Sequence, residues 1–110
     1  DELIRYGRFR YVWTGLYVDS LTPEIAARVG APFETGLFIA RVDEGGPAAL
    51  AGMQVGDVVD VVNGMRIRTL DQANRAIFGL RVGDRLPIAV FRDGERIELD
   101  LELVEKQRGA

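Results

Sequence analysis

The sequence predicts an α+β fold, a partly open antiparallel β-barrel of five to six strands capped by two helices. Three observations indicate it. Short runs such as Leu37 to Val42 and Val58 to Val62 are rich in the residues that β-strands favour. Glycine-containing turns, among them Asn63-Gly64 and Asp93-Gly94, separate neighbouring strands. Two further segments begin with helix-capping signals, and we expect those helices to cover the open ends of the barrel.

Composition excludes several classes of function. The chain has 110 residues, enough for a single domain, and a net charge of −3 with its basic residues scattered, which argues against a nucleic-acid groove. No apolar run approaches the ~20 residues of a membrane span. Because the sequence contains neither histidine nor cysteine, Ser-His-Asp and Cys-His sites, disulfides and thiolate zinc sites are excluded. We expect no catalytic residue, no metal and no cofactor in this chain.

The first half of the chain alternates strands with one helix. We predict a short strand from Arg10 to Trp13 and a second from Leu16 to Leu21. Thr22 is the predicted N-cap of the first helix, with proline at its first position, and Gly30 ends it. The strand from Leu37 to Val42 follows after a loop.

The middle of the chain carries a dense series of turns. Gly45-Gly46-Pro47 leads into a short alanine-rich helical turn that Gly52 ends. Gly56-Asp57 then turns the chain into the strand that begins at Val58. The Asn63-Gly64 dipeptide tolerates positive φ and closes a hairpin with Met65 to Ile67.

The second helix is predicted from its capping residues. Thr69 and Gln72 have the spacing of a capping box for a helix from about Leu70 to Phe78, and Gly79 follows its C-terminal end. Its core side is predicted to comprise Ala73, Ala76 and Ile77.

Two strands end the predicted fold, Leu86 to Arg92 and Glu95 to Val104, with residues 105 to 110 as a polar tail. In the last strand acidic residues alternate with apolar ones. A period of two places one set on each face of a strand. We therefore predict that three carboxylates are solvated and form no metal or acid/base cluster: Glu98, Asp100 and Glu102.

The segment from Gly45 to Gly64 resembles the pattern G-x-P-A-x-x-A-G-x-x-x-G-D-x-Φ-x-x-Φ-N-G of PDZ domains. The resemblance extends over about residues 13 to 104 and implies a PDZ-like barrel. We interpret nearly all residues of the segment itself as scaffold that touches no ligand.

The order of elements resembles the PDZ domains of bacterial HtrA/Deg trypsin-like serine proteases. In the PDZ domains of animal scaffold proteins a first strand precedes the ligand loop. Here the chain begins at the ligand loop, and its last strand is expected to take the structural position of that first strand. Leu3 to Arg8 resembles the linker that follows the protease domain, and Leu21 to Ala26 resembles the first PDZ helix. The resemblance implies a linker at residues 1 to 12 from an absent upstream protease domain, a PDZ domain at 13 to 104 and a tail at 105 to 110. It also implies a bacterial cell-envelope or periplasmic location.

In that family an aromatic-Φ-Gly-Φ loop binds a peptide carboxylate, and the next strand pairs with the peptide. Gly15 also allows a backbone bend that aims successive N–H groups at one anion. A plain glycine turn before an edge strand is the alternative, and core packing is the alternative for Leu70. The implied site has three parts. The carboxylate loop comprises Trp13, Thr14, Gly15 and Leu16, and the pairing strand comprises Tyr17, Val18 and Asp19. The groove-lining residues of the helix are Leu70, Asn74 and Ile77.

Two residues depart from the family pattern. Thr14 stands where isoleucine or leucine is usual, and Asn74 is polar. Both are expected to line the pocket for the last side chain of the ligand. We expect a small or polar terminal residue to be tolerated.

The first hypothesis is a peptide-binding PDZ module of a serine endopeptidase, which recognises C-terminal or extended segments of substrate or regulatory polypeptides by β-strand addition. The alternatives are a PDZ module of a zinc membrane protease, a C-terminal processing peptidase or a secretion component, or an assembly module in a homo-oligomeric parent. The sequence upstream of Asp1 would discriminate among the enzyme classes.

Overall fold

The structure is a computed structural model that describes residues 12 to 105. The predicted linker up to residue 11 and the tail from residue 106 lie outside the described residues. Within them the chain forms, in order, β1 (Val12–Trp13), β2 (Leu16–Ser20), α1 (Pro23–Val29), β3 (Leu37–Val42), α2 (Pro47–Ala51), β4 (Val58–Val62), β5 (Met65–Arg66), α3 (Leu70–Ile77), β6 (Arg85–Arg92), β7 (Glu95–Glu102) and β8 (Val104–Glu105).

The main sheet is antiparallel and has the strand order β2-β3-β4-β6-β7, with β5 paired to β4 beside this path. β6 and β7 form its longest hairpin, from Arg85 opposite Glu102 to Arg92 opposite Glu95. β1 and β8 pair separately as a two-stranded ribbon. The predicted α+β, partly open antiparallel barrel is confirmed, and β2 lies at an edge of the main sheet.

Several predicted boundaries were wrong, most of them by one residue: β2 ends at Ser20 and not Leu21, β5 ends at Arg66 and not Ile67, and β6 begins at Arg85 and not Leu86. The last strand does not run unbroken to Val104, because Leu103 donates its N–H to Asp84 O at 2.9 Å and accepts from Gly83 N at 2.8 Å. β8 consequently leaves the sheet and pairs with β1. α3 ends at Ile77, and Phe78 already has extended backbone angles, φ −63° and ψ 130°.

The sheet separates two hydrophobic cores. The larger lies between the inner face of the barrel and helices α2 and α3, with Ile39, Ile67 and Leu101 fully buried. The smaller one lies under α1 around Leu21, Ala26 and Val58. Glu98, Asp100 and Glu102 are solvent-exposed on β7, as their alternation predicted.

Helix caps form as predicted. Thr22 Oγ1 accepts from Ile25 N at 3.2 Å at the start of α1. At α3, Thr69 Oγ1 accepts from Gln72 N at 3.2 Å and Gln72 Oε1 accepts from Thr69 N at 3.1 Å, which completes the capping box. These contacts satisfy N–H groups that have no partner within a helix.

A buried ion pair fixes the turn before β4. Asp57 is 2% exposed and accepts two hydrogen bonds from Arg92, at 2.8 Å from Nε and 2.7 Å from a terminal nitrogen. The hydrogen bonds from Arg92 to Asp57 raise the pKa of the guanidinium above its ordinary value. Arg92 also donates to Gly52 O, so one side chain binds both the end of α2 and the turn that precedes β4.

Candidate functional site

The open edge of β2 is the main feature of the candidate site. Leu21 donates its N–H to Gly36 O at 2.8 Å, and Gly15 O accepts from Asp43 N at 2.8 Å. Both residues therefore direct backbone groups towards the β3 side. Since backbone groups of alternate residues in an extended strand point to opposite sides, three residues direct theirs to the open edge: Leu16, Val18 and Ser20.

The donors along this edge are not equivalent. Ser20 N already donates to Asp19 Oδ1 at 2.8 Å. Leu16 N lies 3.5 Å from Thr14 Oγ1, which is at the weak limit of a hydrogen bond. The backbone around Leu16 and Val18 is therefore the part of β2 best able to pair with another strand.

The loop that precedes β2 bends at Gly15, whose φ of +79° confirms the predicted bend. The carbonyl of Thr14 accepts from Ala48 N at 2.9 Å. Gly46 packs directly against the loop, because a Cβ on it would lie 3.1 Å from Trp13 Cζ2 and 3.3 Å from Gly15 Cα. The turn around Gly46, which the sequence assigned to scaffold, thus packs against the candidate binding loop and holds it in place.

Asp43 is the central acceptor beside this loop. Its Oδ2 accepts from Trp13 Nε1 at 3.2 Å and from Tyr17 OH at 3.1 Å, and its Oδ1 accepts from an Arg41 nitrogen at 3.2 Å. The Arg41 guanidinium also stacks 4.7 Å from the Tyr17 ring centre. Sequence reasoning missed Asp43, because no local spacing connects it to Trp13 and Tyr17, which lie 30 and 26 positions away.

A small cavity of about 30 Å³ lies between β2 and α3. β2 contributes Leu16 and Val18, α3 contributes Ala73 and Ile77, and side chains of β3, β4 and β6 form the floor. Thr14 is the polar residue in this lining and is 8% exposed. The cavity therefore offers an apolar pocket beside the open strand edge, to which Thr14 contributes carbon surface and no polar surface.

The three residues of α3 that the sequence assigned to the groove differ in their surroundings. Ile77 lines the cavity, together with Ala73, which the sequence placed on the core side. Leu70 is 46% exposed and does not pack in the core. Asn74 is absent from the cavity lining, but its Oδ1 is shielded from solvent and has no hydrogen-bond partner among residues 12 to 105. A buried acceptor of this kind calls for a donor from water or a ligand.

A second cleft, of about 330 Å³, lies between α2 and β7. Leu50, which is 80% exposed, and Val104 are among its walls. In the described part of the chain no helix is long and apolar enough to cross a membrane. The same residues contain no group of three or more His, Cys, Asp or Glu side chains that could hold a metal ion.

Comparison with protein families matches residues 15 to 103 to the PDZ domain. A probable periplasmic serine endoprotease, DegP-like, from Brucella suis is 30% identical over 103 residues, which cover 94% of this chain and 20% of that protein. The chain thus spans about a fifth of the length of the relatives it matches.

Several solved structures are similar to this chain, among them the following two. The HtrA-type protease AlgW with a decapeptide matches with a TM-score of 0.75 and 29% identity, over 90% of this chain and 30% of that one. The HtrA3 PDZ domain bound to a phage-derived ligand, FGRWV, has a TM-score of 0.68 and 18% identity, with 84% of each chain covered. The second likeness supports the fold alone.

Proposed function

This chain belongs to the PDZ domain family, in the form carried by HtrA/Deg serine proteases, and on that premise we propose that it binds the C-terminal end of a polypeptide. The observation that carries the proposal is the open edge of β2 beside the apolar cavity, with Leu16 and Val18 contributing to both. Edge backbone groups supply affinity in β-strand addition, and a neighbouring pocket supplies specificity.

The proposed mechanism has three contacts. The ligand strand pairs with the outward backbone groups of Leu16 and Val18. Its carboxylate meets the N–H groups at the Gly15 bend, in the loop from Trp13 to Leu16. Its last side chain enters the cavity beside Ile77. Affinity is expected to be on the order of micromolar, because a short disordered peptide loses conformational freedom for few side-chain contacts.

The parent protein is proposed to be a trypsin-like periplasmic serine endopeptidase. The names of the relatives and the AlgW likeness support this assignment. The present chain has no histidine to act as a catalytic base, so any such chemistry belongs to another domain, joined here through residues 1 to 12. The module would tether substrate or, if the peptide favours one arrangement of the domains, switch the protease.

The test uses Trp13, the only tryptophan of the chain, as an intrinsic probe. Heptapeptides without tryptophan, with identical sequences ending in Val-Ala, are titrated as the free acid and as the amide. The proposal expects Trp13 fluorescence to change with the acid and much less with the amide. Equal affinity for both forms would overturn carboxylate capture.

A pair of glycine variants completes the test. Gly15→Val is expected to abolish binding, since its φ of +79° is strongly disfavoured for valine. Gly83→Val is the matched control, with φ +95° but no atom within 4 Å of an added Cβ, outside the proposed site. Thermal unfolding of both variants separates lost binding from lost folding. Loss of acid binding in both variants, with both folded, would count against a specific role for Gly15.

A further inference from the structure

We propose that Asp43 is a positioning residue, which holds the loop from Trp13 to Leu16 in the shape that receives a carboxylate. Asp43 does not line the cavity and lies beyond the strand that would pair with the ligand. Its effect on binding would therefore be exerted through Trp13, Gly15 and Tyr17. The part of this proposal that concerns peptide binding rests on the proposed function. The part that concerns the shape of the loop does not, and it is tested without a ligand.

The side chain of Asp43 joins both ends of the bend. Trp13 precedes Gly15 and Tyr17 follows it, yet their indole N–H and phenol hydroxyl both donate to Asp43 Oδ2, at 3.2 and 3.1 Å. One carboxylate oxygen thus fixes the separation of the two residues that flank the flexible position. Charge-assisted hydrogen bonds of this kind are stronger than neutral ones.

The backbone of Asp43 holds the bend from the same side. Asp43 N donates to Gly15 O at 2.8 Å, and Asp43 O accepts from Gly46 N at 3.2 Å. Gly46 in turn packs so closely against Gly15 that a Cβ on Gly46 would lie 3.3 Å from Gly15 Cα and crowd it. The orientation of the Gly15 peptide units, and hence of the N–H groups proposed to meet the ligand, depends on this turn.

The hydrogen-bonding capacity of Asp43 is expected to matter more than its charge. A bare carboxylate near the loop would repel a ligand carboxylate, but three donors converge on this one and its side chain is only 13% exposed. Asn at this position can present an oxygen to Trp13 and Tyr17, whereas Leu of similar size presents none. The two variants therefore separate an acceptor role from a charge effect.

The first measurement requires no ligand. The single indole N–H of the chain gives one cross-peak in a ¹H–¹⁵N spectrum. We expect Asp43→Leu to shift this peak and speed its exchange with solvent by about tenfold, because the hydrogen bond to Oδ2 is lost. Asp43→Asn should remain within about threefold of wild type, because an acceptor oxygen is retained. An indole signal unchanged in Asp43→Leu would overturn the positioning role.

The second measurement is affinity for the Val-Ala heptapeptide acid and its amide. We expect Asp43→Leu to weaken acid binding by about tenfold and to reduce the acid-to-amide ratio towards one, on the scale of one hydrogen-bond network lost. Asp43→Asn should restore most of that ratio. Matched controls are Asp100→Leu and Asp100→Asn on β7. Asp100 forms an exposed ion pair with Arg85, so these substitutions remove the same charge at a place away from the loop.

The outcomes distinguish the two proposals. If the wild-type chain binds the acid and Asp43→Leu keeps its acid-to-amide ratio, Asp43 has no positioning role. If Asp43→Asn and Asp43→Leu lose equal affinity for the acid peptide, the charge of Asp43 and not its acceptor oxygen is responsible, which contradicts the proposal. If no acid peptide binds the wild type but the indole signal responds as expected, Asp43 orders the loop and the proposed function is wrong.

Discussion

The carboxylate of Asp19 accepts a hydrogen bond from the backbone N–H of Ser20, its own neighbour in β2, at 2.8 Å. This contact occupies the last donor that faces the open edge of the sheet. Among the N–H groups of β2 that face the open edge, an incoming strand therefore finds only those of Leu16 and Val18 without a strong partner. Such a contact also limits unwanted pairing between edges of folded chains.

The first prediction is that only a short ligand segment pairs with β2. In a truncation series of acid peptides, affinity should rise up to about four residues and then level off, since further residues find no open donor. Asp19→Ala should free Ser20 N and let longer peptides gain about 1 kcal/mol. Fluorescence titrations of the series with both proteins provide the measurement.

Asp19→Asn is the control for this prediction, because it removes the charge but keeps an oxygen that can accept from Ser20. It should behave like the wild type. A steady rise of wild-type affinity up to eight residues, unaltered by Asp19→Ala, would show that Asp19 does not end the ladder.

The second prediction concerns the last side chain of the ligand. The cavity between β2 and α3 is small, with a volume of about 30 Å³. Peptides ending in Ala or Ser should therefore bind the wild type better than those ending in Leu or Phe. Ile77→Ala should enlarge the cavity and shift preference towards Val and Leu by about 1 kcal/mol. An array of peptides that differ only at the last residue checks this.

Thr14→Val removes the one hydroxyl among the residues that line the pocket, with almost no change of volume. It should favour apolar over polar terminal residues by about 1 kcal/mol, since the hydroxyl has only a 3.5 Å contact with Leu16 N to replace its water partners. If wild type already prefers large aliphatic ends and neither substitution changes that preference, the last side chain does not enter this cavity.

The third prediction is a stability difference between two glycines. Gly30 ends α1 with φ +77°, and a Cβ on it would lie 2.9 Å from Gly94 Cα, a backbone atom that cannot easily move. Gly94 N also donates to Val29 O at 2.7 Å, so the hairpin tip is seated there. Gly30→Ala should lower the free energy of unfolding by about 2–3 kcal/mol, through both backbone strain and this clash.

Gly83→Ala is its control, because φ is +95° there and the space is open. It should cost only about 1 kcal/mol, the conformational part alone. Urea unfolding of the two variants measures the difference. Equal losses would mean that the contact between Gly30 and Gly94 contributes nothing.

The fourth prediction concerns the Asp57–Arg92 pair. The hydrogen bond to Asp57 raises the pKa of Arg92, so the stabilisation from charged Arg92 is fully present below the ordinary pKa of arginine and is lost only as pH rises through the still higher folded value. Urea unfolding at pH 7 and at pH 10 should therefore show the same contribution from Arg92. Asp57→Asn should cost about 3 kcal/mol, because Arg92 and the Gln54 N–H lose a buried charged acceptor.

Asp71→Asn is the matched control on the surface. Asp71 pairs with Arg75 at 2.8 Å, but both side chains are largely exposed. Its removal should change stability by no more than about 0.5 kcal/mol. If the two substitutions cost the same, burial of Asp57 gives the pair no special weight.

The sequence by itself determined the fold class and most elements, because their signals are local. The capping box of α3 joins residues three positions apart, and the bend at Gly15 depends on one residue type. The Asn63-Gly64 hairpin is likewise decided within a few residues. The peptide-binding residues stay a prediction, since they were assigned by resemblance.

Tertiary structure alone decided the support and the size of the candidate site. Asp43 meets Trp13 and Tyr17 only after β3 has folded back on β2, and the Gly46 turn meets Gly15 in the same way. The cavity volume depends on side chains from five elements, and Ala73 of α3, which lies in the core as the sequence predicted, also lines the cavity. Hydrogen bonds and voids between distant segments have no local signal, because they depend on how the segments pack.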